Sequence, residues 1–407
     1  MKIKELHLKN FRGYAEHDFK FHDNLTLFVG ENGSGKTGVL EGLCVALGGW
    51  LYGFEGIDSQ DKRNIRKADR RVVKAGVNGA LLEQMPVEVS CVAQLADVDP
   101  VAWERCINNR NGRTTHSGLY ALLQYTFDLN KSIYSGQDEN INLPLVAYYS
   151  SARLWNEPIV HERKARKDKV RLEGYKGSLS FTNSIKDAMN AVDRIAYLAY
   201  RDEDVRSKAI MDAMLEAIRI MLSPASPNAN VNYNMKDAEI YVQADDGEIV
   251  PYSRLSDGYR CIVSLVIDLC RRAVMLNPQF GADAVKRANG VVLIDEIDLH
   301  IHPKWQQKIL GDLQTIFPEV QFVMTTHAPA VIQSVKAENL VILDGENTSQ
   351  PKKGIYGRDV NSILADIMGV NPRPDEISKR FKEIYTDIDT GDIRLARAKT
   401  EELERIV

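Results

Sequence analysis

LTLFVGENGSGKTGVL, residues 25–40, is the stretch whose reading decides the fold. Leu25–Gly30 is a short apolar run ending in glycine, which reads as a buried strand. GENGSGKT at 30–37 then matches the pattern Gly, four residues, Gly-Lys-Thr, a loop whose backbone amides curl around phosphate groups. Glycines let the backbone approach an anion closely, and the following helix adds partial positive charge at its N-terminus. In GVLEGLCVALGGW, Leu40, Leu43, Cys44 and Leu47 recur at helical spacing. Strand, glycine loop and helix together are the context this pattern requires.

Three further signals lie far downstream: LSDG at 255–258, VVLIDEID at 291–298 and TTHAP at 325–329. VVLID, the helical PKWQQKILGDLQTIF and then VQFVMTTH alternate strand, helix, strand, which predicts a parallel sheet with short crossovers. AEIYVQ, the turn ADDG and EIVPYS predict a hairpin that delivers LSDG to a helix start. Each residue of the loop then has an expected task. The nucleotide-binding set is Gly30, Asn32, Gly33, Ser34, Gly35, Lys36, Thr37 and Gly38, with Lys36 as a point charge at the β- and γ-phosphates. Asp295 ends an apolar strand, where a carboxylate is costly unless it meets a cation, so Thr37 and Asp295 are the expected Mg²⁺ ligands beside ATP.

Bulk properties exclude several classes. The chain has 407 residues, 44% of them apolar, and a net charge of −4, so any nucleic-acid contact must come from local patches. No run of 18 apolar residues exists and MKIKELHLKNFRGY lacks a secretory apolar core, so a cytoplasmic protein with no membrane domain is expected. Cys44, Cys91, Cys106, Cys261 and Cys270 are scattered and read as reduced core thiols. His300 and His302 stand two apart, but Pro303 beside them favours a structural role over metal binding. The residues between the phosphate loop and LSDG hold no sustained heptad run, so no long coiled-coil arm is expected.

In this order the four signals resemble the ATPase head shared by ABC transporters, structural-maintenance proteins, Rad50 and RecF. The resemblance implies an ABC-type α/β fold with a mixed sheet, ATP-gated dimerisation, and LSDG capping the nucleotide of the opposite subunit. On that pattern Glu296 is the general base, His327 senses the γ-phosphate, and Lys36 completes the catalytic set. Ser256 and Gly258 are then the ligands supplied in trans, Asp298 and His300 occupy the loop that crosses the interface, and Arg12 in NFRGY stands by the phosphates. Gln94 and Arg153 are rival candidates for the sensor loop.

LIDEIDLHIHPKWQ followed by TTHAP is similar to the stand-alone ATPases of the RecF/OLD-like group. LPLVAYYSSARLW and GIYGRDVNSILADIMGVNPRP look like the ATPase subunits of Septu and retron antiphage systems. That likeness implies a separate HNH-type nuclease as partner and, in retron versions, a reverse transcriptase with its RNA–DNA product. OLD proteins continue into a Toprim nuclease with clustered acids; here DGEN at 344–347 is isolated and no HNH pattern exists, so no intrinsic nuclease is expected. A RecF- or Rad50-like repair ATPase and an ATP-binding scaffold with negligible turnover are the alternatives.

The expected division is 1–100, an N-terminal lobe with the phosphate loop; 101–235, an inserted, mainly helical lobe; 236–350, a lobe with LSDG, the acidic pair and His327; and 351–407, C-terminal helices. Within the last, Ile377, Phe381, Ile384 and Ile388 form one apolar series, and Leu395, Ala398, Leu403 and Ile406 a second. Two basic stretches remain. Residues 61–74 hold seven Lys/Arg against two acids and residues 162–171 six against two, read either as solvated faces or as a groove for DNA or RNA backbone.

Overall fold

The structure is a computed structural model that describes residues 1–75, 80–96, 98–136, 141–151, 171–180, 185–224, 226–345, 347–351, 354–371 and 373–406. The chain divides into two compact units, Met1–Tyr356 and Gly357–Val407.

In the first unit two sheets share one helix. β1 (Lys2–Phe11) and β2 (Tyr14–Lys20) pair antiparallel, with Ile3, Leu6, Leu8 and Phe11 of β1 buried at roughly alternate positions. β3 (Leu25–Gly30) belongs to the second sheet and leads into α1 (Lys36–Tyr52). β4 (Val72–Ala75) and β5 (Ala80–Glu83) pair with each other, while β6 (Val87–Gln94) and β7 (Val101–Ile107) complete the first sheet in the order β2-β1-β6-β7. α1 packs against β1, β6 and β7 and also against β3 and β13, introduced below. A helix covered all round is largely apolar; α1 is buried from Val39 to Leu51, and its charged member Glu41 is paired with Arg63 at 2.6 Å.

The chain continues through α2 (Tyr120–Tyr134), β8 (Leu145–Tyr149), α3 (Ile185–Tyr200) and α4 (Val205–Leu222), the last capped by Asp204, which accepts the Ser207 N–H at 2.7 Å. β9 (Asn230–Asn234), β10 (Glu239–Gln243) and β11 (Ile249–Pro251) form a small antiparallel sheet ahead of α5 (Asp257–Leu276). Then follow β12 (Gly290–Ile294), α6 (Pro303–Gln306), α7 (Ile309–Ile316), β13 (Val320–Thr325), α8 (Pro329–Ile332), β14 (Leu340–Asp344) and β15 (Asn347–Ser349). The second sheet runs β15-β14-β3-β13-β12-β8, parallel throughout except for β15. Its strands are apolar without alternation because helices cover a parallel sheet on both faces; β12 and β13 are buried at every position. The stretch 101–235 holds α2 to α4, but it also supplies β7 to the antiparallel sheet and β8 to the edge of the parallel one.

The second unit comprises α9 (Val360–Asp366), α10 (Asp375–Asp389) and α11 (Ile393–Glu404). Ile384, Ala396 and Leu403 form its core, with Ile377 and Phe381 packed against them. On α11 the buried seam is Ala396 and Leu403, whereas Leu395 is exposed, as are Ile388 near the end of α10 and Ile406 beyond α11. Lys399 lies at the edge of that seam and pairs with Asp387 at 2.9 Å and Glu383 at 3.5 Å on α10. Asp392 fixes that helix start by accepting the Leu395 N–H at 3.1 Å.

Candidate nucleotide site

Three parallel strands end side by side, and the site is built on their carboxyl ends. β3 opens into the glycine loop, β12 ends at Asp295-Glu296, and β13, which lies between them, ends at Thr325-Thr326-His327. Segments more than 250 residues apart in sequence therefore meet through short hydrogen bonds. Thr37 Oγ1 donates to Asp295 Oδ2 at 2.9 Å, across 258 residues. Thr325 Oγ1 donates to Asp295 Oδ1 at 2.7 Å and accepts the Glu296 N–H at 2.7 Å. The Asp295 N–H in turn donates to the Tyr149 carbonyl at 2.8 Å. Asp298 Oδ1 accepts the Thr326 hydroxyl at 2.6 Å and lies 3.4 Å from the His327 amide.

The loop itself is shaped by what lies beneath it. Gly35 has φ +100°, and a Cβ there would stand 2.3 Å from the Tyr14 hydroxyl, so both backbone and space demand glycine. Ser34, Lys36 and Gly38 are buried, while Asn32, Gly33 and Thr37 are exposed. Lys36 Nζ donates to the Gly30 carbonyl at 2.9 Å and the Glu31 carbonyl at 2.8 Å. Burial pulls its pKa below the ordinary lysine value, against the upward pull of Asp295, Glu296 and Asp298. His327 is also held below the usual imidazole value, chiefly by burial and then by Lys36, with Asp298, Glu296 and Asp295 opposing. Its neutral form is thus favoured beside the acidic cluster.

Glu296 has φ +50°, a left-handed conformation that costs a glutamate on the order of 1–3 kcal/mol. Its N–H on Thr325 is one contact that holds it there. His300, at φ +61°, presents its carbonyl to Gly258: a Cβ at 258 would lie 2.4 Å from that oxygen. The LSDG turn and the segment after the acidic pair are therefore packed together in one subunit, with Ser256 exposed at the start of α5.

Arg12 sits at the β1–β2 corner with its guanidinium 3.2 Å from Asp69 and 3.5 Å from Glu41. Both carboxylates are buried and shared with Arg63, at 2.6 Å to Glu41 and 2.9 Å to Asp69. The Arg12 stem reaches the first turn of α1, since a Cβ on Gly38 would stand 3.8 Å from its Cδ. Gln94 ends β6 and gives its amide to the Ala96 carbonyl at 3.0 Å and to that of Val98. Arg153 and most of the basic stretch 162–171 lie outside the described residues.

Three contributors receive no role from sequence. Thr325, the first residue of TTHAP, joins both acids of the pair, Tyr14 floors the loop, and Tyr149 links two elements through opposite ends. The Tyr149 hydroxyl donates to Asp268 Oδ2 on α5 at 2.8 Å, and Arg271 and Arg272 bind the same carboxylate at 2.6 and 2.7 Å. The helix that begins with LSDG is thereby tied to the strand whose carbonyl holds Asp295.

The donors fit Mg²⁺. Among the described residues no group of three or more His, Cys, Asp or Glu side chains is arranged around a metal. Thr37 and Asp295 instead offer two adjacent hard oxygens, the small protein share that Mg²⁺ takes when phosphates and water complete its shell.

A phosphate loop on β3, an acidic pair two strands away on β12, a Thr-His end between them and a separate LSDG helix define an ABC-type phosphate-loop ATPase head. The chain belongs to the AAA domain family, whose model matches residues 5–231. It is 24% identical to the retron Vc95 probable ATPase of Vibrio cholerae serotype O1 biovar El Tor, over 92% of this chain and 80% of that protein. It is 29% identical to the Septu protein PtuA of Bacillus thuringiensis over 33% of this chain and 35% of that one. Among solved structures, the SMC head bound to the C-winged helix domain of ScpA aligns over 86% of this chain and 97% of that chain, at TM-score 0.49 and 16% identity. No helix among the described residues is long and apolar enough to cross a membrane.

Proposed function

We propose that this chain binds and hydrolyses ATP with Mg²⁺, closes on a second copy through the LSDG turn, and thereby controls a separate nuclease in a bacterial antiphage complex of the retron or Septu kind. The observation that carries the ATPase reading is the contact of Thr37 and Thr325 with the two oxygens of Asp295. It brings the loop, the acidic pair and the His327 strand to one point. Lys36 exchanges the Gly30 and Glu31 carbonyls for phosphate oxygens, which satisfy an ammonium better than two neutral acceptors. Glu296, half-exposed beside His327, orients and polarises the attacking water. Mg²⁺, when bound, neutralises charge on the phosphates. Ser256, exposed at a helix start of 20 residues, is available to a nucleotide on a second copy. The defence role is supported by similarity to a retron ATPase across nearly the whole chain, and it makes an HNH-type nuclease and a reverse transcriptase the first partners to test.

Glu296→Gln is the test. With ATP and Mg²⁺ it should lose turnover, retain bound ATP, and run as a stable dimer by light scattering, because the amide keeps the shape of the base without its function. Asp295→Ala should fail to form that dimer. Unchanged turnover in Glu296→Gln means that another group is the base. Co-purification with the product of a neighbouring nuclease gene tests the partner, and a clean absence of association removes the defence reading.

A further inference from the structure

The basic stretch 61–74 is left unexplained by the nucleotide site, and the fold sorts its charges into two kinds. Arg63 is buried in the cluster with Glu41 and Asp69, and Arg70 pairs with Glu83 at 2.8 Å. Both acids of the stretch are also turned to internal tasks. Asp69 is buried in that same cluster, and Asp61 accepts the Gly177 N–H at 3.0 Å. The exposed charged positions are cationic: Arg66, Lys67 and Lys74 lie at the surface, the Lys67 side chain 84% exposed with its Nζ 3.9 Å from Glu83.

A second segment, which no charge run marks in sequence, lies alongside. Residues 108–116, NNRNGRTTH, carry two arginines and no acid. They are stitched to the first stretch by the Ile65 N–H on Thr114 Oγ1 at 3.1 Å and by Arg70 Nη1 on the Arg110 carbonyl at 2.8 Å. Thr115 fixes the base of the loop, donating to the Cys106 carbonyl at 2.8 Å and accepting the Cys106 N–H at 3.2 Å. Arg110 and Arg113 are both exposed. Glu83 reports how closely the cations crowd: its carboxyl is held below the usual range by the Arg70 hydrogen bond, with Lys67 and Arg110 adding to the effect.

We propose that the face formed by Arg66, Lys67, Arg110 and Arg113 binds the phosphate backbone of a nucleic acid. Three of the four are arginines, whose planar forks match phosphate oxygens in pairs. Two segments held at fixed separation by hydrogen bonds can meet successive phosphates, which a mobile basic tail does not. The net charge of −4 makes such a local face the place where an anionic strand settles. Binding there is backbone-directed and independent of sequence, and it does not depend on the ATPase reading, since it can be measured without nucleotide.

The test uses the full chain and a fluorescent 30-nucleotide DNA, single-stranded and duplex, read by anisotropy across a salt series. A Lys67→Glu, Arg110→Glu, Arg113→Glu variant is compared with Lys20→Glu, Lys208→Glu, Lys336→Glu, which changes net charge equally at exposed lysines elsewhere. The face variant should bind at least tenfold more weakly at moderate salt. Loss of three contacts should also flatten the slope of log K against log salt by about 2.7 on duplex. The control should bind within about threefold of wild type, and both variants should melt with it and keep its nucleotide affinity. Wild-type DNA binding by the face variant overturns the proposal, as does an equal loss in the control. Wild-type binding to anionic phospholipid vesicles but not to DNA, abolished in the face variant, overturns it too by making the face a membrane contact. Loss of nucleotide binding with DNA binding intact would count against the ATPase reading alone.

Discussion

Thr325→Val removes one hydroxyl and almost nothing else. Valine has the same branched shape, and the side chain is fully buried, so packing is retained. Two interactions disappear. Asp295 loses a donor at 2.7 Å, and a hydrogen bond to a charged group is worth about 1.5–3 kcal/mol. The Glu296 N–H loses its acceptor at 2.7 Å, a cost of about 1–3 kcal/mol, nearer the lower end because Glu296 is half-exposed and water can partly replace the hydroxyl. Together these give about 3 kcal/mol, or roughly 3–4 °C in Tm for a chain of this size. The kinetic effect is separate. Glu296 adopts φ +50° at a cost of about 1–3 kcal/mol, and without Thr325 it relaxes toward ordinary backbone geometry and carries its carboxylate away from the water it should orient. Since 1.36 kcal/mol is tenfold in rate, kcat should fall about tenfold to a hundredfold. KM should stay within about threefold, because Lys36 and the loop amides are untouched. Thermal melting and steady-state ATPase assays read the two effects, and Thr325→Ser, which keeps the hydroxyl, should recover most of kcat. A valine variant with wild-type kcat, or a serine variant as impaired as valine, would refute Thr325 as the residue that positions Glu296.

Ser256→Arg should abolish ATP-driven association while nucleotide affinity of the separate subunit stays within about threefold, as measured by light scattering and a fluorescent ATP analogue; association that survives removes LSDG from the interface. Asp312, whose buried Oδ2 accepts no hydrogen bond among the described residues, has its pKa raised by burial from 3.8 to about 6. The native state therefore holds a proton that the unfolded chain releases, so the stabilising contribution is complete below about pH 3.8 and is lost as pH rises through 6. Asp312→Asn should flatten that part of the pH–Tm profile and melt higher than wild type at pH 7.5; an unchanged profile shows that the carboxyl ionises freely. Truncation after Tyr356 should leave a folded protein that binds ATP within about threefold of the full chain, since Gly357–Val407 has its own core, and an insoluble or nucleotide-blind fragment would show otherwise.

The features legible in advance were those that depend on local chemistry. GENGSGKT is expected to join a strand to a helix through a tight loop, and it does so between β3 and α1, because glycines, a lysine and a hydroxyl stand so close together in it. VVLID and VQFVMTTH announce buried parallel strands by lacking alternation. Periodicity also located α10, but it misplaced the seam of α11. Leu395 is expected in the second apolar series, yet Ala396 and Leu403 are the buried positions, because the packing of α11 on Ile384, Ile377 and Phe381 sets which face turns inward.

Sequence alone thus named residues that the structure brings together at the candidate site: Lys36, Thr37, Asp295 and Glu296. Their identities follow from motifs whose chemistry is complete within a few residues. Only the tertiary structure decided which neighbours hold them: Thr325 bridging two acids, Tyr14 filling the space under Gly35, Tyr149 joining Asp295 to Asp268, and the loop 108–116 laid beside a basic stretch that is distant in the chain. Those roles depend on strand order. With β13 inserted between β3 and β12, Thr325, the first residue of TTHAP, comes to stand within hydrogen-bond reach of both acids, a juxtaposition that no spacing along the chain encodes.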